Sequence, residues 1–155
     1  MHEAAGRNDV EELARLLDED PSLLELANPD TPLYHAACRG SVDAARLLLD
    51  RGADVHWRDY EERTALAEAC RAGYAEVAQL LLERGAHATW SEMWGWTPLM
   101  EASFGDDKDG SDHVAVLRLL IKARVPVDTR DDAACTALWY ACYHGHTDRA
   151  RVLLV

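Results

Sequence analysis

The sequence predicts an all-α repeat solenoid of about five units, each a helix, a short turn, an antiparallel helix and an extended loop. Three observations predict it. A seven-residue pattern occurs four times: Thr31-Pro32-Leu33-Tyr34-His35-Ala36-Ala37, Thr64-Ala65-Leu66-Ala67-Glu68-Ala69-Cys70, Thr97-Pro98-Leu99-Met100-Glu101-Ala102-Ser103 and Thr136-Ala137-Leu138-Trp139-Tyr140-Ala141-Cys142. The first two steps, 31 to 64 and 64 to 97, are both 33 residues long. Each copy leads into an apolar stripe at helical spacing. A period of this size marks units that bury their apolar faces only against their neighbours.

The elements follow in order. Residues His2 to Asp18 read as a degenerate first unit, within a span of about 1–27. In the inner units, about 28–60, 61–93 and 94–132, each Thr is placed to cap a helix. Pro32 and Pro98 then fall at the first helical position, where no amide is needed. Gly40, Gly73 and Gly145 fall between the two helices of a unit. The second helices carry Val42, Ala45, Leu48 and Leu49; Val77, Leu80, Leu81 and Leu82; and Val114, Leu117, Leu119 and Leu120. Arg51-Gly52-Ala53-Asp54 and Arg84-Gly85-Ala86-His87 end them, with glycine suited to a left-handed C-terminal cap. The last unit spans about 133–155 and stops at Leu153-Leu154-Val155 with no exit loop, so either a longer chain has been cut or the final helix ends the fold. Glu12 and Arg149 stand where inner units carry Ala44, Val77 and Val116, and are expected to keep the two ends of the stack polar.

The Thr-Pro-Leu helix start, the glycine between helices, the leucine-rich helix end and the Gly-Ala-Asp-Val exit resemble the ankyrin repeat family over essentially the whole chain. That resemblance implies a single array with a degenerate N-terminal cap, three inner repeats and a C-terminal cap. It fixes the fold and leaves function to be argued from the site.

Composition narrows the partners. With 28 acidic and 16 basic residues the net charge is −12, which repels a phosphate backbone and favours basic peptides, cationic small molecules or a basic protein face. No apolar run reaches the length of a membrane span. The acidic start, Met1-His2-Glu3, is unlike a secretory signal. Cys38, Cys70, Cys135 and Cys142 lack metal-type spacing, and Cys70 and Cys142 occupy equivalent slots, expected to be buried, two repeats apart. They read as unpaired residues of a cytoplasmic protein. No metal and no cofactor is expected: His144-Gly145-His146 has no further ligand placed to complete a tetrahedral set, and the acidic insertion 105–112 lacks the closing glutamate of a calcium loop. This insertion stretches the third step, 97 to 136, to 39 residues.

Candidate binding residues come from departures at one slot. The position before the small pair, usually apolar in the family, holds Glu3, His35, Glu68, Glu101 and Tyr140, and is expected to line an open groove. Arg71, Phe104 and Tyr143 follow on the same helices; Trp57, Tyr60, Trp90, Trp94 and Trp96 add aromatics on the loop side. Trp96, Phe104 and Tyr140 are expected to surround a space one cation wide beside Glu101, since ring faces attract alkylated ammonium groups. The chain therefore reads as a protein- or peptide-binding module for a basic or cationic ligand. The alternative is a small-molecule or catalytic pocket with Glu68 and Glu101 as acid and base, assisted by His35 and Tyr140 and closed by tryptophans.

Overall fold

Each first helix begins where a threonine stops the extended chain. The hydroxyls of Thr31, Thr64, Thr97 and Thr136 accept the amides of Tyr34, Ala67, Met100 and Trp139 at 3.2–3.3 Å. A cap of this kind contributes about 1 kcal/mol. The structure, a computed structural model, describes residues 1–26, 30–107 and 110–154. Lys108 and Asp109 of the insertion, and the terminal Val155, therefore lie outside the described residues.

Among the described residues five helix pairs result: α1 (His2–Gly6) with α2 (Val10–Glu19), α3 (Pro32–Arg39) with α4 (Val42–Asp50), α5 (Ala65–Ala72) with α6 (Ala75–Glu83), α7 (Pro98–Phe104) with α8 (His113–Lys122), and α9 (Ala137–Tyr143) with α10 (Thr147–Leu153). Among the described residues there is no strand, only one antiparallel bridge between Arg58 and Thr64. The first helices α1, α3, α5, α7 and α9 pack in one row and the second helices in another. Leu33, Leu66 and Leu99 fill the space within each pair, and Leu13, Leu48, Leu81 and Leu120 the outer row, all fully buried. The small residues Ala37, Cys70 and Ser103 are 0% exposed, because successive first helices approach too closely there for anything larger. In α8 the buried stripe is Val116, Leu117 and Leu120, with Val114 turned half outward.

Two terminal residues depart from expectation. Cys142, the counterpart of Cys70, is exposed, because no further first helix lies over it. All four cysteines are unpaired. Glu12 is half-buried and pairs with Arg15, but Arg149 does not face solvent: it is 3% exposed. The reason lies at the end of α7. α3 and α5 end on glycines with φ of 70° and 75°, whose amides turn back onto the helix. α7 runs instead into Gly105 at φ −48°, which sends the chain into the insertion and leaves the last carbonyls of the helix needing donors. Arg149 supplies them, its Nη1 donating to Gly105 O at 2.5 Å and to Ala102 O and Ser103 O at 3.4 and 3.5 Å, while Nη2 pairs with Asp107. Gly105 is itself pressed onto α5, where a Cβ would fall 2.0 Å from Arg71 O.

Replacing Arg149 with Ala is expected to destabilise the chain by about 2–4 kcal/mol, through buried carbonyls left without donors. Lysine should recover only part, since one ammonium cannot fork between several carbonyls. Urea melts check both, with hydrogen exchange locating the loss in α9 and α10; a wild-type midpoint for Arg149→Ala refutes the clamp.

Candidate functional site

Three loop hairpins stand at the same place in the repeat, each ending in a capping threonine. Five residues before Thr64, Thr97 and Thr136 stand Asp59, Glu92 and Asp131. The backbone turn is the same in all three. Asp59 N donates to Arg63 O, Glu92 N to Trp96 O and Asp131 N to Cys135 O, at 2.8–3.1 Å. Glu62, Gly95 and Ala134 take the left-handed conformation at the same point of each turn.

The side chains differ. Asp59 Oδ1 accepts the amides of Glu61 and Arg63, and Asp131 Oδ1 those of Ala133 and Cys135, at 2.8–2.9 Å. Glu92 is one methylene longer, and among the described residues it makes neither bond. Its Oε1 is buried without a hydrogen-bond partner. Trp94 is held in the left-handed region at φ 69° and is 70% exposed. A tryptophan there costs about 1–2 kcal/mol relative to a relaxed backbone. Neighbouring hairpins pin the loop: Met93 N donates to Glu61 O at 3.2 Å and Asp132 N to Trp94 O at 3.0 Å.

Glu92 meets Glu101 of α7. Both line a partly open pocket of about 270 Å³, together with Glu61, Arg63, Met93, Trp94 and Trp96. Glu101 is 6% exposed and its Oε2 also lacks a hydrogen-bond partner. Glu68 lies behind, 2% exposed, but it is compensated: Arg71 pairs with it at 2.5 Å and Arg63 stands 3.9 Å away. Arg63 is already held by Asp59 and Glu61 at 2.8 and 3.0 Å. Five carboxylates (Asp59, Glu61, Glu68, Glu92, Glu101) thus share two guanidiniums. Burial first, then the charges of Glu101 and Glu68, pushes Glu92 up to about 9. Burial and then Glu68 pushes Glu101 up to about 7.

The expected ring cage is closed. Trp96, Phe104 and Tyr140 do come together, but they pack on one another, with centroids 4.6 Å (Trp96–Tyr140), 5.3 Å (Trp96–Phe104) and 6.3 Å (Phe104–Tyr140) apart. The Tyr140 hydroxyl is drawn to Asp131 Oδ2 at 2.5 Å, and burial followed by that bond raises its pKa. Nor do Glu68 and Glu101 line an open groove, since both are buried by the neighbouring loops. His35 stands apart, near His2 (5.0 Å between rings) and Asp30 (3.9 Å). Trp57 packs edge-on against Tyr34, and Trp90 lies under the Arg58 guanidinium at 4.4 Å with its indole N–H donating to Glu62 O. Tyr60 is 80% exposed at a loop tip, and Tyr143 stacks on Trp139 at the far end of the array. His113 is buried, with Nε2 3.0 Å from Arg71 O, and no group of three metal-type ligands occurs among the described residues. Glu92 was absent from the expected site; aligning the three hairpins on their threonines singles it out as a glutamate among aspartates.

The comparisons agree with the repeat fold. Residues 1–92 match the family described as Ankyrin repeats (3 copies), and residues 110–154 match Ankyrin repeats (many copies). The chain belongs to the ankyrin repeat family. Met93, Trp94, Trp96 and Glu101 fall between the two matched stretches. Inversin of Mus musculus is 31% identical over 99% of this chain, and the probable E3 ubiquitin-protein ligase XBOS33 of Oryza sativa subsp. japonica is 41% identical over 44% of it. The serine/threonine-protein kinase VIK of Arabidopsis thaliana is 40% identical over 42%. The chain spans only 14–15% of the length of these relatives. Ankyrin repeats are in general protein-interaction modules. No helix among the described residues is long and apolar enough to cross a membrane.

Glu101 and Glu92 have folded pKa values above the ordinary 4.5, so the folded chain holds more protons than the unfolded chain between about pH 5 and 9. Their contribution is fully present below 4.5 and is lost as pH rises through about 7 and then about 9. Between pH 5 and pH 8 the wild type should therefore lose about 2 kcal/mol relative to Glu101→Gln. Parallel denaturant melts of the two proteins across that range measure the difference; equal slopes exclude a raised Glu101.

Proposed function

We propose that the chain is a protein-interaction module whose partner presents a basic segment to the loop tips and first-helix face of the third and fourth units. The excess of carboxylates around Glu92 and Glu101, set beside the exposed Trp94 and Tyr60, carries this reading. A surface with net charge −12 speeds the encounter with a cationic partner, and the local deficit of guanidinium fixes where the contact settles. Exposed aromatic side chains supply contact area with few rotors to immobilise. Trp94, held against the preferences of its backbone by both neighbouring hairpins, presents its ring without further ordering on binding.

A catalytic reading has less support. Glu68 is neutralised by Arg71, the Tyr140 hydroxyl is taken by Asp131, and His35 stands against His2 and Asp30. None of these groups lines the pocket that holds Glu101.

A lysine- and arginine-rich peptide should bind, with affinity falling as salt rises, whereas a neutral peptide of equal length should not. Trp94→Ala should weaken the peptide by about 5- to 30-fold. Fluorescence anisotropy at several ionic strengths tests this. Salt-independent binding that ignores Trp94→Ala defeats the proposal.

A further inference from the structure

We infer that the pocket between the 92–96 hairpin and α7 is a site for one organic cation bearing N–H donors, such as a lysine or arginine side chain of a partner, which Glu92 and Glu101 accept together. The inference rests on the protein-interaction reading and names the group that reading leaves open. Glu101 is more than nine-tenths buried, lines the pocket and carries an oxygen with no hydrogen-bond partner, and Glu92 contributes a second such oxygen to the same space. A buried acceptor left unpaired is costly, and two in one cavity mark a place completed by a donor from outside. The nearest cations cannot fill it: Arg63 is held by Asp59 and Glu61, and Arg71 by Glu68.

Orphan acceptors demand N–H bonds. A quaternary ammonium, which offers none, satisfies ring faces but not these oxygens. The rings that would cage such a group, Trp96, Phe104 and Tyr140, are packed against one another. Trp94, Trp96 and Met93 instead line the pocket beside the carboxylates.

Occupancy is coupled to protons. The groups facing the two glutamates are Asp59, Glu61 and Arg63 from the preceding hairpin and Glu68, Cys70 and Arg71 from α5. Carboxylates outnumber guanidiniums among them, and the buried Cys70 thiol is pushed well above its ordinary value and stays neutral. The empty pocket therefore retains protons near neutral pH, and an entering cation displaces about one.

The test is an NMR titration of the full chain, following the indole N–H signals of Trp94 and Trp96. The probes are n-butylammonium, n-butylguanidinium, n-butyltrimethylammonium and butanol. At least one of the first two should bind, whichever binds more tightly separating a lysine from an arginine source, and the last two should bind at least about tenfold more weakly. Affinity for the better cation should rise about tenfold per pH unit below pH 7. Glu101→Gln should weaken it by about tenfold or more. Glu92→Asp is the sharper variant, because it restores the shorter side chain that at positions 59 and 131 turns back onto the hairpin amides. It should raise the melting temperature and abolish the cation response. A quaternary probe that binds as well as the primary one, or a Glu92→Asp protein that binds like wild type, overturns the site. The basic peptide titrated into the same samples separates the two claims. Peptide binding with no butylammonium response removes the pocket and leaves the interaction reading. Butylammonium binding with no peptide response does the reverse.

Discussion

A pair of helices of five to ten residues cannot bury its own apolar face, so each unit exists only by lying against the next. This constraint governs the rest of the molecule. It requires small residues wherever successive first helices touch, as at Ala37, Cys70 and Ser103. It also fixes the register, so that residues at equivalent slots become neighbours across units. Side chains 33 positions apart in sequence therefore meet in space, and a substitution in one unit is answered by residues of the adjacent ones.

The row that runs through Glu68 and Glu101 shows what that register does to charge. Both carboxylates are removed from water by the loops beside them. Glu68 has Arg71 three residues on along the same helix, where the helical turn brings the two together. Glu101 has Phe104 at that position, so its neighbour is a ring and its charge stays uncompensated. The same contrast recurs in the hairpins. Asp59 and Asp131 tie their turns together through backbone amides, whereas Glu92 holds its turn by the backbone alone. Unfavourable features gather at and just after the start of the fourth unit: the half-buried Glu92 and buried Glu101, a left-handed tryptophan and a helix whose carbonyls need Arg149. A stretch that departs so often from its own repeat is where binding is expected to be traded against stability.

The insertion after α7 extends the same theme. It removes the glycine cap that ends α3 and α5, and the structure answers with a guanidinium from the last unit and with His113 reaching the end of α5. These contacts add polar ties across two successive unit boundaries, third to fourth and fourth to fifth. The hairpin that carries the candidate pocket is braced separately, by Met93 N donating to Glu61 O and Asp132 N to Trp94 O.

The sequence by itself determined the architecture. Threonine caps, the 33-residue step and the helix-spaced leucines are local or periodic signals, and they act wherever the chain folds. It also singled out Trp96, Phe104 and Tyr140 as rings that meet, because a fixed register makes such neighbours legible. Only the tertiary structure decided how they meet. A ring can turn toward a groove or toward another ring with the same sequence spacing, and Asp131, outside the pattern considered, draws Tyr140 into the packed arrangement. Whether a carboxylate is exposed or buried depends on hairpins outside its own helix, which no single helix encodes; hence Glu101 proved enclosed and Glu92 proved its companion. Arg149 is the converse case: a charged residue at a terminal slot reads as solvent-facing until the missing cap on α7, a helix of the preceding unit, gives the charge something to bind.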